Sequence, residues 1–166
     1  MSKESKKGAL PFALERGFTQ VPNAVLRHYL YYPKFNGNTA SVYAFLLSNY
    51  NEAFGYAYPT HVQVAQATNM TEKTVGGHIK LLSDVGLINI KENGGSDNHT
   101  YTFNSPIEVA EVFFEKYPEA GDRWRTFNES LTKSKEDKDA RKKKKKKAKN
   151  EPVIKTDAED DIKNWL

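Results

Sequence analysis

The sequence contains no cysteine. This absence excludes a disulfide framework, a thiolate-held metal and a cysteine nucleophile together, and it fits a reducing compartment. No apolar run approaches the ~18 residues that a membrane-spanning helix needs. The charged start, Met1-Ser2-Lys3-Glu4-Ser5-Lys6-Lys7, leads into no apolar secretory stretch. With only 7 prolines and 10 glycines in 166 residues, collagen-like and linker-dominated chains are excluded. At roughly 100–200 residues per domain, such a length holds one modest core with appendages. A soluble cytoplasmic protein, without contact to a membrane, is the expectation.

Recognisable catalytic machinery is missing too. His28, His61, His78 and His99 are scattered, with no paired spacing of metal ligands. No glycine-rich loop is followed by a Lys-Ser/Thr pair, so phosphate hydrolysis has no visible apparatus. The sequence predicts no enzyme, no metal site and no cofactor.

What is present is unevenly distributed charge. The net charge is +4, but residues 1–131 hold 12 Lys/Arg against 13 Asp/Glu, while residues 132–166 hold 13 against 8. The excess lies wholly in the last fifth. Nearly all Tyr and Phe lie between Phe12 and Phe127, so the core is expected within about residues 10–130. Like-charge blocks repel and bury little, and 132–166 is therefore expected to be a disordered charged C-terminal tail.

The folded part is expected to be mainly α with a small β-hairpin wing. Residues 1–17 form a flexible lead, and the chain from Gly17 to Asn23 is extended, with Pro22 restraining Val21 away from helix. A short helix is predicted over 24–31, ended by Pro33 and the turn at 36–38. Thr39 opens a helix to residue 51 whose inward stripe is Val42, Tyr43, Leu46, Leu47 and Tyr50. Residues 51–59 form a loop with Phe54, Tyr56 and Tyr58 as core pins. Tyr29, Tyr31, Tyr32 and Phe35 are expected in packing and not as a base-stacking platform.

Thr60 caps a helix over 61–67 with Val64 and Ala65 inward. After a short turn, Thr71 caps a helix from Glu72 to about Val85, with Val75, Ile79, Leu82 and Val85 inward. Gly86 ends it, since glycine takes the left-handed conformation at little cost. Residues 87–91 alternate as a strand, 92–98 carry the turn Gly94-Gly95, and 100–103 return. Accessory helices are predicted over 107–117 and 121–131. The second presents Trp124, Phe127 and Leu131, either packed back or forming a homodimer seam.

Pro59-Thr60, Val64-Ala65, Met70-Thr71, Lys73-Thr74-Val75, His78-Ile79-Lys80, Leu82 and Gly86-Leu87-Ile88 together resemble bacterial winged helix-turn-helix proteins. Phe18 to Asn23 and Tyr56-Ala57-Tyr58-Pro59-Thr60 are similar to the DNA-binding domains of plasmid and phage replication proteins and mobile-element regulators. The resemblance covers about residues 18–104. It implies double-stranded DNA as partner and a role in replication initiation or its regulation. A transcriptional repressor of the same fold is one alternative, and a protein-interaction scaffold that no longer binds DNA is another.

The resemblance places the second helix in the major groove and assigns contacts to Thr60, Thr71, Lys73, Thr74, Gly77, His78 and Lys80. Lys73 and Thr74 are assigned to the groove, and Lys80 to a phosphate. Gly76-Gly77 departs from the family pattern and supplies no hydrogen bond to a base. Lys91 stands at the base of the wing. Arg141, Lys142, Lys143, Lys144, Lys145, Lys146, Lys147 and Lys149 put eight cations in nine positions, suited to phosphates irrespective of sequence. Solubility, an anionic membrane surface and, in a eukaryotic source, nuclear import are the other uses of such a run. Beyond it, Ile162, Trp165 and Leu166 share one face behind four acids. They suit a protein partner's groove or a fold-back onto the basic run.

Overall fold

A buried threonine ties the first helix of the protein to its third, and the architecture is built around that junction. The computed structural model describes residues 14–92 and 99–150, the last five of these by backbone alone. The chain forms two compact units, Met1–Trp124 and Arg125–Leu166.

In the first unit the chain turns through residues 22–27 into a 3-10 turn, His28–Tyr31. This replaces the expected helix over 24–31, and Val25 and Tyr29 are the residues it buries most deeply. Helix α1 spans Gly37–Ser48. It starts two residues before the predicted position because Asn36 is the cap. The Asn36 Oδ1 accepts from the amides of Asn38 at 2.9 Å and Thr39 at 3.2 Å. Thr39 fills the third helical position and its hydroxyl accepts from the Asn36 amide, a reciprocal capping box. Val42, Tyr43 and Leu46 are buried as expected. Tyr50 is not, because α1 stops at Ser48 and the helical period no longer governs it.

Helix α2 spans His61–Thr68. Its cap is Thr60, whose hydroxyl accepts from the Gln63 amide at 3.2 Å while Gln63 Oε1 accepts from the Thr60 amide at 2.9 Å. Asn69 leaves the helix in the left-handed conformation at φ 54°. After Met70, Thr71 caps helix α3, Glu72–Asp84, by accepting from the Thr74 amide at 3.2 Å. Val75, Ile79 and Leu82 face the core together with Val64 of α2. Gly86, at φ 74°, turns the chain out of α3.

Strands β1, Ile88–Glu92, and β2, His99–Phe103, form an antiparallel hairpin with Ile88 opposite Phe103 and Ile90 opposite Tyr101. A third segment joins its edge. Ala57 pairs with Tyr101 through hydrogen bonds of 2.9 and 2.8 Å. Residues 56–59 therefore follow strand alternation, with Ala57 and Pro59 buried and Tyr58 outward. This overturns the expectation that Phe54 and Tyr58 pin the core: they are 59% and 53% exposed.

Helix α4, Ala110–Lys116, starts three residues later than predicted. Ile107 is held outside it, its carbonyl bonded to His28 Nε2 at 2.7 Å and its amide donating to the Tyr29 hydroxyl at 3.0 Å. Phe113 is fully buried against Tyr29, their ring centroids 4.3 Å apart. Pro118 closes α4 and opens helix α5, Pro118–Asn150, at the first helical position, where its missing N–H costs nothing.

In the second unit α5 continues from Arg125 to Asn150, whereas disorder was expected from residue 132. No Pro or Gly interrupts 122–150, and Lys, Arg, Glu and Ala are strong helix formers. Asp137 with Arg141 and Asp139 with Lys143 stand four apart with the acid first, the favourable order on a helix. Like-charge repulsion alone was too narrow a criterion. The hairpin tip at 93–98 and the tip residues Ile162, Trp165 and Leu166 lie outside the described residues. Among the described residues the architecture is mainly helical with one two-stranded antiparallel hairpin. No helix among the described residues is long and apolar enough to cross a membrane.

Candidate nucleic-acid interface

A surface helix packs an apolar stripe on the core and carries polar residues on its opposite side. On α3 the buried stripe is Val75, Ile79 and Leu82. Opposite it, at intervals of four, three and four, run Lys73, Gly77, Lys80 and Asp84, all exposed. Glu72 and Thr74 flank this stripe and are exposed as well. The structure thus brings Lys73, Thr74, Gly77 and Lys80 onto one accessible surface.

Their chemistry differs. Lys73 makes no ion pair among the described residues. Lys80 does: its Nζ donates to both Asp84 carboxylate oxygens at 3.1 and 2.9 Å. The side chains are 76% and 46% exposed, so the pair is solvated and open to exchange for another anion. The four-residue spacing of Lys80 and Asp84 makes this pair legible in the sequence. Thr71 and Thr74 spend their hydroxyls on each other at 2.9 Å, in addition to the Thr71 cap.

His78 stands elsewhere. It turns toward α1, where its Nδ1 lies 2.9 Å from the Thr39 hydroxyl. Burial holds its imidazole below the ordinary value of 6.5 by penalising the charged form. His78 thus braces α3 from behind, apart from the outer stripe to which the sequence reading assigned it. Thr39, fully buried, was not foreseen as its partner.

The two glycines also separate. A Cβ at Gly76 would meet the His61 ring at 3.9 Å, an ordinary contact, and one at Gly77 would meet nothing within 4 Å. The packing of the first unit thus does not require glycine at either position. Gly77 makes the middle of the outer stripe flat, between the two lysines.

Thr60 is half-buried as the α2 cap, and Lys91 is exposed on β1. Arg141, Lys142, Lys143, Lys144 and Lys145 are exposed on α5, while Lys146, Lys147 and Lys149 continue its backbone. Two clefts of the first unit bear on recognition. The larger, about 940 Å³, is bordered by Leu26, Leu30, Phe114 and Trp124 with Arg27, Glu108 and Glu111. The smaller, about 470 Å³, lies at the start of α2 between Tyr50 and Tyr58. Groups of three or more metal-ligating side chains are absent among the described residues. No family model, curated protein or solved structure matches the chain.

Proposed function

We propose that this chain is a non-enzymatic DNA-binding protein that lays α3 in the major groove of a duplex and gains affinity from the cations of α5. The reading is supported above all by one observation: the outer stripe of α3 is exposed from Lys73 to Asp84 while its other side is locked into the core. A groove about 12 Å wide admits such a helix. The order of α2, a three-residue turn, α3 and hairpin fits a winged helix-turn-helix. Replication initiation or its control on a bacterial plasmid or phage is the role we favour, and repression of transcription by the same docking comes next.

Selection of bound sequences from a random duplex pool by the intact chain tests this. An enriched motif is expected. Lys73→Ala should then relax preference at one base position by about 1–3 kcal/mol.

A second reading rests on the apolar cleft of about 940 Å³ and on the engagement of Lys80 by Asp84. In it the first unit is a protein-interaction scaffold, and α3 contacts no base. A random pool that yields no motif, together with an unchanged affinity of Lys73→Ala for any duplex, would favour the scaffold.

A further inference from the structure

The smaller cleft carries a second recognition chemistry. It is lined by Asn49, Tyr50, Asn51, Tyr58, Thr60 and Gln63, among others, with no charged side chain in its wall. Its two rings stand open, Tyr50 at 46% and Tyr58 at 53% exposure. Beyond Tyr58 the aromatic surface continues: Tyr56 lies 6.1 Å from Tyr58, and Phe54 stacks on Tyr56 at 5.7 Å with an interplanar angle of 20°. Tyr50 rests one edge on Phe103 at 5.7 Å and Tyr56 is half-buried, but Phe54 and Tyr58 turn more than half of their surface outward from a domain that buries Tyr29, Tyr43 and Tyr101.

The amides between these rings are already oriented. Asn49 Nδ2 donates to the Phe45 carbonyl at 2.8 Å and to Ser48 at 3.2 Å, which leaves its Oδ1 as an acceptor. Asn51 Oδ1 accepts from the amides of Ala53 and Phe54 at 3.0 and 3.3 Å, which leaves its Nδ2 as a donor. Gln63 Oε1 accepts from the Thr60 amide, which leaves its Nε2 as a second donor. The loop itself is fixed by the Asn51 amide donating to the Tyr56 carbonyl at 3.1 Å and by the Ala57–Tyr101 pairing. Two donors and one acceptor are thus held in place beside open rings, which lowers the side-chain ordering a ligand must supply.

We infer that this cleft binds an unpaired nucleobase, so that the protein engages single-stranded or locally opened nucleic acid beside α2. Unstacked bases are recognised by rings on their faces and by hydrogen bonds on their edges, which present donors and acceptors together. A proline-rich peptide, the other ligand of tyrosine-lined grooves, offers carbonyl acceptors but no N–H at proline to meet Asn49 Oδ1. The inference deepens the nucleic-acid reading and rests on it, but not on α3.

The test uses the full chain with three probes: a fully paired duplex, the same duplex with an unpaired thymine bulge, and oligothymidine carrying 5-iododeoxyuridine. Photo-crosslinking, mapped by peptide mass spectrometry, is expected within residues 49–63. Tyr50→Ala and Tyr58→Ala, which remove the two rings of the cleft, should lower the preference for bulged over paired DNA by roughly 5- to 150-fold per lost stacked base, with paired-duplex affinity unchanged. Tyr58→Phe, which keeps the ring, should restore it. Circular dichroism of each variant confirms folding.

Crosslinks that fall only in 132–150, with the preference unchanged in both alanine variants, would overturn the inference while leaving α3 docking intact. No crosslink within 49–63, together with polyproline binding that Tyr58→Ala abolishes, would assign the cleft to a peptide and overturn the inference as well. Crosslinks within 49–63 in a chain that shows no duplex motif would uphold the inference and sink the α3 reading alone.

Discussion

The Thr39 hydroxyl and His78 Nδ1 lie 2.9 Å apart and join the first turn of α1 to the middle of α3. Thr39 is fully buried and His78 half-buried, and burial lowers the imidazole's proton affinity. The folded state therefore prefers neutral His78. The stability this contributes is present above the unfolded value, about 6.5, and is lost as pH falls below it toward the depressed folded value. The denaturation midpoint should thus drop on acidification through that window, and His78→Asn, which keeps an acceptor for Thr39, should flatten the drop. Equal pH slopes in the two proteins would remove the brace from the account.

The same pair predicts a stability effect without titration. Thr39→Val keeps the shape of the buried side chain but deletes the partner of His78 and the reciprocal cap on Asn36. The loss of one hydrogen bond to a half-buried ring nitrogen costs about 1 kcal/mol. Urea denaturation at neutral pH should show a loss of that size, with unchanged slope.

Gly77 separates stability from function. It sits in mid-helix with open space where a Cβ would point. Gly77→Ala should stabilise the fold by about 1 kcal/mol, since alanine has the higher helix propensity. On the outer stripe, between Lys73 and Lys80, the added methyl stands where a duplex would approach. Duplex affinity should fall as stability rises. A variant that gains stability with no change in affinity would show that nothing comes close to this helix face.

The sequence made the centre of the fold legible and the edges less so. Thr60 and Thr71 announced their helices because a hydroxyl before an apolar period has one common use, and Val75, Ile79 and Leu82 followed from spacing alone. Ala57 was opaque: a single residue pairing with Tyr101 has no period, yet it decides that Tyr58 faces solvent. His78 was assigned outward by family resemblance, and only its distance to a residue 39 positions away reveals its role as a brace. The helix over 132–150 is hard to read from the sequence because its dense like charge points to disorder while its Lys, Arg, Glu and Ala favour helix.

Lys80 and Asp84 form the ion pair that most directly tests α3. The pair is exposed, so Asp84→Asn should change stability by no more than about 0.5 kcal/mol. It frees Lys80 for a phosphate, however. If α3 docks on a duplex, affinity should rise and the logarithmic salt slope should steepen by about 0.9. An unchanged slope would place Lys80 away from the DNA.

The helical state of the basic run changes what its cations can do. Lys142, Lys143, Lys144 and Lys145 occupy consecutive positions of α5. At 3.6 residues per turn they point around its full circumference, so one duplex meets about half of them at once. In an extended arm all four could reach phosphates. Replacing all four by Gln should therefore reduce the logarithmic salt slope by about 2 rather than about 4. The loss of affinity should be the same for selected and random duplexes, because phosphate contacts carry no sequence information. Anisotropy titrations across a salt series measure both quantities. A slope change near 4 would mean that the run leaves its helical form on DNA. A loss confined to the selected sequence would mean that these lysines read bases, and the assignment of specificity to α3 would fall with it.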